Sequence, residues 1–354
     1  MKILSVVGAR PQFVKLAPIA RAMEGRAEHV IVHTGQHYDE LMSDVFFRDL
    51  GIPEPDENLA VGSGKHGAQT GAMLAGLEGL FEKHAPDVVL VYGDTNSTLA
   101  AAIAAVKIHL PVAHLEAGLR SFNRRMPEEH NRVLTDHAAD LLLAPTQVAV
   151  DHLASEGLGE RTVLVGDVMT DVLFAVRDRL DASPLPLLEG LLEGEYYVAT
   201  IHRPDNTDDA ARLRAVVENL ASLSKPVLLL AHPRLRKLAD QHGIDLTAGS
   251  ITATTPLAYP ALVDAVRRSA GVVTDSGGLQ KEAFLLRVPC TTIRAETEWV
   301  ETVELGWNAL VSADLSVLAS TVERLAPAPT DATPYGDGHA AERTVEALLA
   351  HGSH

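Results

Sequence analysis

Cations stand at the ends of short apolar runs along this chain. Arg10 and Lys15 follow the run at 3–7, with Gly8 between them and it. His202 and Arg203 follow the run at 197–201, and His232 and Arg234 follow 227–231. Asp275-Ser276-Gly277-Gly278 follows 271–274 and opens a helical stretch. If these runs are strands of open α/β sheets, their carboxyl ends are where ligands bind. Cations there suit a phosphate, and so does a Ser-Gly-Gly turn, whose N–H groups and positive dipole end lie at a helix N-terminus. Any one of these residues alone also reads as a solvated loop side chain, and Ser276 as a simple helix cap. One ligand, a diphosphate, accounts for their recurrence at the same edge in both halves.

The same edge carries acids. Gly93-Asp94 ends the run at 88–92, Glu116 ends the run at 112–115, and Glu128 and Glu129 follow Pro127 at the start of another helical stretch. Asp94 is equally readable as a helix cap, and Glu128 and Glu129 suit a helix N-terminus on dipole grounds. Glu116, at the end of a buried strand, needs a partner. Carboxylates converging on one cleft can divide acid and base roles when their environments separate their pKa values. Gln36, between His33 and His37, lies after the second run at this edge. No HExxH or comparable ligand spacing appears, so no metal is expected. The string at 62–67 fits G-x-G-x-x-G, but it follows only the short run at 59–61 and is not the first strand-to-helix turn. It reads as a flexible loop before a helix at 69. There is no P-loop, which argues against a Walker-type ATPase.

The elements that must position these residues alternate regularly. Strands are expected at 3–7, 30–33, 88–92, 112–115, 141–144, 163–165, 197–201, 227–231, 271–274 and 290–293. Their continuous apolar character marks strands buried on both faces. Helices are expected at 14–23, 39–50, 69–84, 97–108, 128–138, 208–221, 259–268, 279–286 and 340–350. Strand and helix in alternation mean parallel sheets with crossover helices. A seam is expected near 166–195, and both halves open alike, with a strand, a loop carrying a basic residue and a proline, then a helix. The fold expected is α/β, with two doubly wound Rossmann-like domains facing across a cleft. The first spans 1–168. The second is expected at 169–335, with the nucleotide-binding role that the resemblance given below implies, and 336–354 is expected to form a C-terminal helix that packs back on the first domain.

The 354 residues suit about two domains. Hydrophobic residues at 46% and charged residues at 22% exclude disorder of the whole chain. The net charge of −17 disfavours nucleic acid and anionic membrane as partners, while leaving room for a locally cationic cleft. The single cysteine, Cys290, excludes an intramolecular disulfide and a Cys-cluster metal site. No apolar stretch reaches the ~18–20 residues that span a bilayer, and the short run at 3–7 is no secretory signal. A cytoplasmic protein is expected.

Taken together, the ordered motifs GARPQFVKLAP, TGQHYDE, VYGDTNSTLA, HLEAGLRS, MPEEHNRVLTDHAADLLLAPT, TIHRPDN, HPR and TDSGGLQKEA resemble those of the non-hydrolysing UDP-N-acetylglucosamine 2-epimerases. The resemblance runs from Gly8 to about Asn308. It implies the two-domain architecture of the GT-B glycosyltransferases, and an isomerase that interconverts UDP-N-acetylglucosamine and UDP-N-acetylmannosamine for cell-surface polysaccharide precursors. It implies no cofactor: UDP is eliminated to leave 2-acetamidoglucal and then added back with the opposite C2 configuration. The family's acidic positions fall on Asp94, Glu116 and Glu128. Two of them would exchange the C2 proton on opposite faces, and the third would assist. Arg10, Lys15 and His202 match positions for substrate and diphosphate. Ser276, Gly277 and Gly278 fall in the nucleotide-binding segment, with Glu282 on the ribose hydroxyls, and Gln36 and His232 are further cleft residues. The implied partners are a UDP-sugar and UDP, with closure between the domains to retain them. A homodimer is implied as well, with the helices near 69–80 and 97–108 as candidate surfaces.

The chain departs from the family pattern at some positions. Trp299 and Val300 replace the Arg and Pro of a usual TERPE segment, and Asp205 departs from HRxEN. Asp39 and Ala68 stand where members activated by their own substrate carry extra polar residues. Relatives acting on UDP-2,3-diacetamido-2,3-dideoxyglucuronic acid share the pattern. A hydrolysing epimerase and a GT-B glycosyltransferase are the remaining activities to separate.

Overall fold

The apolar runs become the inner strands of two all-parallel sheets. The computed structural model describes residues 1–36, 51–186, 188 and 190–352. The chain divides into two compact units, Met1–Phe174 with Thr333–His354, and Ala175–Ala332.

The first unit runs β1 (Lys2–Val7), α1 (Arg10–Met23), β2 (Glu28–His33), β3 (Glu57–Asn58), α2 (His66–His84), β4 (Val88–Tyr92) and α3 (Asn96–Lys107). It continues with β5 (Val112–Leu115), α4 (Pro127–Ala138), β6 (Leu141–Ala144), α5 (Gln147–Ser155), β7 (Thr162–Leu164) and α6 (Val168–Ala182), in which the division between the units falls. Its seven strands lie in the order β3-β2-β1-β4-β5-β6-β7. The chain builds outward from β1 to β3 and then returns to place β4 on the other side of β1. The carboxyl ends of β1 and β4 therefore flank a topological switch point, where an open α/β sheet leaves a crevice. Ile3, Leu4, Val6, Val7 and all of β4 are at most 1% exposed, as strands covered on both faces must be.

The second unit holds β8 (Tyr197–Thr200), α7 (Pro204–Thr207), α8 (Ala210–Ala221), β9 (Val227–Leu230), α9 (Pro233–His242), β10 (Ile251–Thr254) and α10 (Tyr259–Arg267). After these come β11 (Gly271–Thr274), α11 (Gly277–Leu285), β12 (Cys290–Thr292), α12 (Val300–Glu304), β13 (Asn308–Leu310) and α13 (Leu318–Val322). The strand order β10-β9-β8-β11-β12-β13 puts the second switch point between β8 and β11. Two doubly wound parallel units make up a GT-B type chain. The last helix, α14 (Ala340–His351), belongs to the first unit and packs against α1.

Several elements differ from expectation. Helix α1 begins at Arg10 and not at 14, because Pro11 suits a first turn and the Gln12 side chain accepts the N–H groups of Gly8 and Ala9 at 2.8 and 3.0 Å. The stretch read as a seam holds α6. Asp167 accepts the Met169 N–H there, and Val168, Val172, Leu173, Val176 and Leu180 are buried at helical spacing. The edge strands β3, β10 and β13 were not foreseen. The helix expected at 39–50 lies outside the described residues. The G-x-G-x-x-G string ends inside α2, which starts at His66. Among the described residues, no helix is long and apolar enough to cross a membrane.

Candidate active site

At the first switch point, Gly93 directly follows the β4 strand and Glu116 the β5 strand. Gly93 has φ of +61°, and Glu116 has φ of +73°, a left-handed backbone that a residue with a side chain rarely adopts. Such strain persists where the surroundings over-determine it, and it clusters at functional sites. Here the surroundings are specific. Lys15, one turn into α1, pairs with Glu116 through Nζ and Oε2, both largely buried. Burial pulls the Lys15 pKa down, but the Glu116 carboxylate, with the charges of Asp94 and Asp167, outweighs it and holds the ammonium above its usual value. A Cβ on Gly93 would lie 3.1 Å from Glu116 Oε2 and 3.3 Å from Lys15 Nζ. Glycine is therefore required by both the backbone and the pair.

Asp94 is not a cap. The Thr95 hydroxyl caps α3, accepting the Thr98 N–H at 3.3 Å. That leaves the Asp94 carboxylate for Arg132, whose Nε and Nη2 donate to Oδ2 at 2.9 and 2.6 Å. Asn131 donates to the Asp94 carbonyl at 2.9 Å. Burial lowers the Arg132 pKa, but Asp94 and Glu129 overcome this and raise it. Of the two acids that open α4, Glu129 is buried, accepts from Ser121, Phe122 and Arg132, and ties down the preceding loop. Glu128 is exposed on the same turn.

Gln36 is built into the frame. Its Oε1 accepts from the Ser97 N–H and hydroxyl at 3.0 and 2.6 Å, fixing the start of α3. Arg10 is the first residue of α1, and its side chain lies outside the described set, as do His37 and Asp39.

The second switch point is organised by Asp275, which is fully buried. Its carboxylate accepts the backbone N–H groups of His202 and Arg203 at 2.9 to 3.1 Å and the Asn206 amide at 3.1 Å. His202 Nδ1 lies 2.9 Å from the same carboxylate. Burial raises the Asp275 pKa, but the His202 contact and the donated N–H groups bring it below the usual range. An ionised partner assigns the Nδ1 proton, and His202, with its side chain 51% exposed, turns its Nε2 away from that partner. Ser276 does cap α11, accepting the Leu279 N–H at 3.5 Å, and that cap leaves the N–H groups of Gly277 and Gly278 to face an anion. Cap and anion site are thus compatible.

Trp299, one of the departures, donates its indole N–H to the Gly277 carbonyl at 2.8 Å and covers Lys281. Glu282 accepts from the Tyr259 hydroxyl at 3.0 Å. His232 caps α9 through its own ring.

The structure thus gathers Lys15, Glu116 and Gly93 in one unit, with Asp94 beside them. In the other it gathers His202, Ser276, Gly277 and Gly278. Arg132, Asn131 and Asp275 were missed as partners. All three stand inside the quoted motifs, but only the fold shows which group each one faces.

The chain matches the UDP-N-acetylglucosamine 2-epimerase family model over residues 21–349. It is 45% identical to the UDP-2,3-diacetamido-2,3-dideoxy-D-glucuronate 2-epimerase of Pseudomonas aeruginosa, across 98% of this chain and 99% of that one. It is 42% identical to a UDP-N-acetylglucosamine 2-epimerase homolog of Methanococcus maripaludis, again across 98% and 99%. The Methanocaldococcus jannaschii UDP-GlcNAc 2-epimerase, solved in complex with UDP-GlcNAc and UDP, superposes with a TM-score of 0.81 at 38% identity, covering 99% of this chain and 100% of that one.

Proposed function

The chain belongs to the UDP-N-acetylglucosamine 2-epimerase family, and on that premise we propose that it reversibly inverts C2 of UDP-N-acetylglucosamine to give UDP-N-acetylmannosamine. The observation that carries this reading is the cluster at the first switch point: two carboxylates, Asp94 and Glu116, each held by its own cation beside Gly93. The C2 hydrogen is only weakly acidic, so its removal must be coupled to loss of a good leaving group. One carboxylate takes the proton. The C–H electron pair becomes the C1–C2 double bond of 2-acetamidoglucal, and the C1–O pair leaves with UDP. In the return step UDP oxygen adds to C1, and C2 takes a proton on the opposite face. No net oxidation occurs. The ammonium of Lys15 and the guanidinium of Arg132 hold the two acids in place and offset their charge. Glu128, exposed on the next helix, is the third acid of the set.

The second unit serves the leaving group. His202, oriented by Asp275, and the N-terminus of α11 at Ser276 to Gly278 stabilise charge developing on the diphosphate. Glu282 holds the ribose hydroxyls, Arg10 adds a cation for the diphosphate, and His232 lies at the same strand edge. On this reading the enzyme works in the cytoplasm as a homodimer without a cofactor.

A second reading is favoured by one finding. The 45% identity to the diacetamido-glucuronate enzyme makes UDP-2,3-diacetamido-2,3-dideoxyglucuronic acid an alternative substrate for the same chemistry. Incubation with each UDP-sugar in deuterated water, followed by proton NMR, tests both. Loss of the C2 proton signal from UDP-N-acetylglucosamine, with UDP-N-acetylmannosamine appearing, is the expected result. Exchange in the uronic acid alone would move the substrate. Free UDP and N-acetylmannosamine accumulating would make the enzyme hydrolysing. No exchange in either sugar would overturn C2 chemistry.

A further inference from the structure

Close to the two carboxylates lies a buried histidine–aspartate couple that the proton-transfer scheme does not use. His114, on β5, and Asp136, on α4, are both fully buried. His114 Nδ1 lies 2.6 Å from Asp136 Oδ1, and Nε2 lies 2.7 Å from the Gly93 carbonyl. A carbonyl only accepts, so Nε2 carries a proton. Burial alone would raise the Asp136 pKa, but His114 and Arg120 lower it. The other oxygen of Asp136 accepts the Gly118 N–H at 3.1 Å and Arg120 Nη1 at 2.7 Å. Arg120 is itself held by Glu156 through two bonds of 2.7 and 2.9 Å.

The couple therefore grips two turns at once. Through Nε2 it holds the Gly93 carbonyl, immediately before Asp94. Through Asp136 it holds Gly118, two residues after Glu116. Both turns are left-handed, with φ of +61° at Gly93, +73° at Glu116 and +83° at Gly118. We propose that His114 and Asp136 are positioning residues that fix the separation of Asp94 and Glu116, and so control C2 proton transfer and not nucleotide binding. The inference rests on the function proposed above.

Three variants test it: His114→Asn, which reaches only toward Asp136, His114→Gln, which reaches only toward Gly93, and the isosteric Asp136→Asn. Leu142→Ala, a core change in the neighbouring strand β6, is the control for simple loss of stability. The readouts are C2 deuterium exchange, the Kd for UDP and the melting curve. Misplacement of reacting groups by an ångström costs about 100-fold. The expected result is a fall in kcat of that order in the three variants, with UDP affinity unchanged and melting no lower than in the control. If the His114 variants do not fold, Asp136→Asn carries the same test. Exchange at the wild-type rate in folded variants would overturn the proposal. So would a joint fall of exchange and UDP affinity matching that of the Leu142→Ala control, since that is the mark of a merely structural role. Wild-type protein without exchange on either sugar would overturn the underlying function, and the proposal with it.

Discussion

At Gly93, backbone conformation and active-site charge meet in one residue. Its carbonyl is held from below by His114, its φ is +61°, and the missing Cβ leaves the space used by the Lys15–Glu116 pair. In Gly93→Ala the left-handed backbone costs about 1–2 kcal/mol, and the new methyl group presses on both charged heads. The expected outcome is a melting temperature lowered by a few degrees and a much larger loss of C2 exchange, read by calorimetry and NMR on the same sample. The carboxylates can be tested without that strain. Glu116→Gln and Asp94→Asn keep the shape and remove the charge. Each is expected to lower exchange by about 10²–10⁴-fold, the usual contribution of a positioned acid or base. UDP affinity, measured by titration calorimetry, is expected to stay near wild type, because His202 and the α11 N-terminus lie in the other unit.

Elements carry a different kind of sensitivity. Strands β2, β1 and β4 are joined on one face by a chain of side-chain hydrogen bonds, His29 Nε2 to Ser5 Oγ and Ser5 Oγ to the Tyr92 hydroxyl, each 2.8 Å. Burial lowers the His29 pKa to about 4, with Asp56 opposing the fall only in part. The unfolded chain takes up that proton near 6.5, so between 6.5 and 4 it binds more protons than the folded one. Stability from this group is complete above pH 6.5 and is lost as pH falls toward 4, by about 3 kcal/mol at most. Denaturant titrations across that window should show a shallower slope in His29→Gln than in the wild type.

The same strands show how much of the architecture was legible in the sequence. Buried parallel strands such as β4 announce themselves as unbroken apolar runs. The edge strand β3 is only Glu57–Asn58, and no pattern marks two polar residues. Helix α6 was hidden by the proline-rich residues that follow it. Strand-end acids and cations could be picked out because doubly wound sheets put ligands there. The partners of Arg132 and Asp275, and the His114–Asp136 couple, could not, because a buried polar group chooses its partner in three dimensions and not by spacing.

On the scale of the whole chain, the first unit is closed by residues that follow the second one in sequence. Tyr335 is fully buried, and its carbonyl accepts from the Asp167 N–H at 3.1 Å and the Thr170 hydroxyl at 3.0 Å. Asp171 then caps α14, accepting the N–H groups of Ala340 and Ala341 at 3.0 and 2.7 Å. From there α14 lays Ala341, Val345 and Leu348 against the first unit, with Leu348 fully buried. The stability of that unit therefore depends on a segment made after the second unit is complete. Leu348→Ala removes apolar volume at that contact and is expected to cost about 2–5 kcal/mol. Because the loss lies in one compact unit, it should be confined there. Native-state hydrogen exchange should show faster opening of the β1 and β4 amides and unchanged protection in β8 and β11. Equal acceleration in both sheets would mean that the two units open as one cooperative body, and the C-terminal helix would then stabilise the whole chain and not its first unit alone.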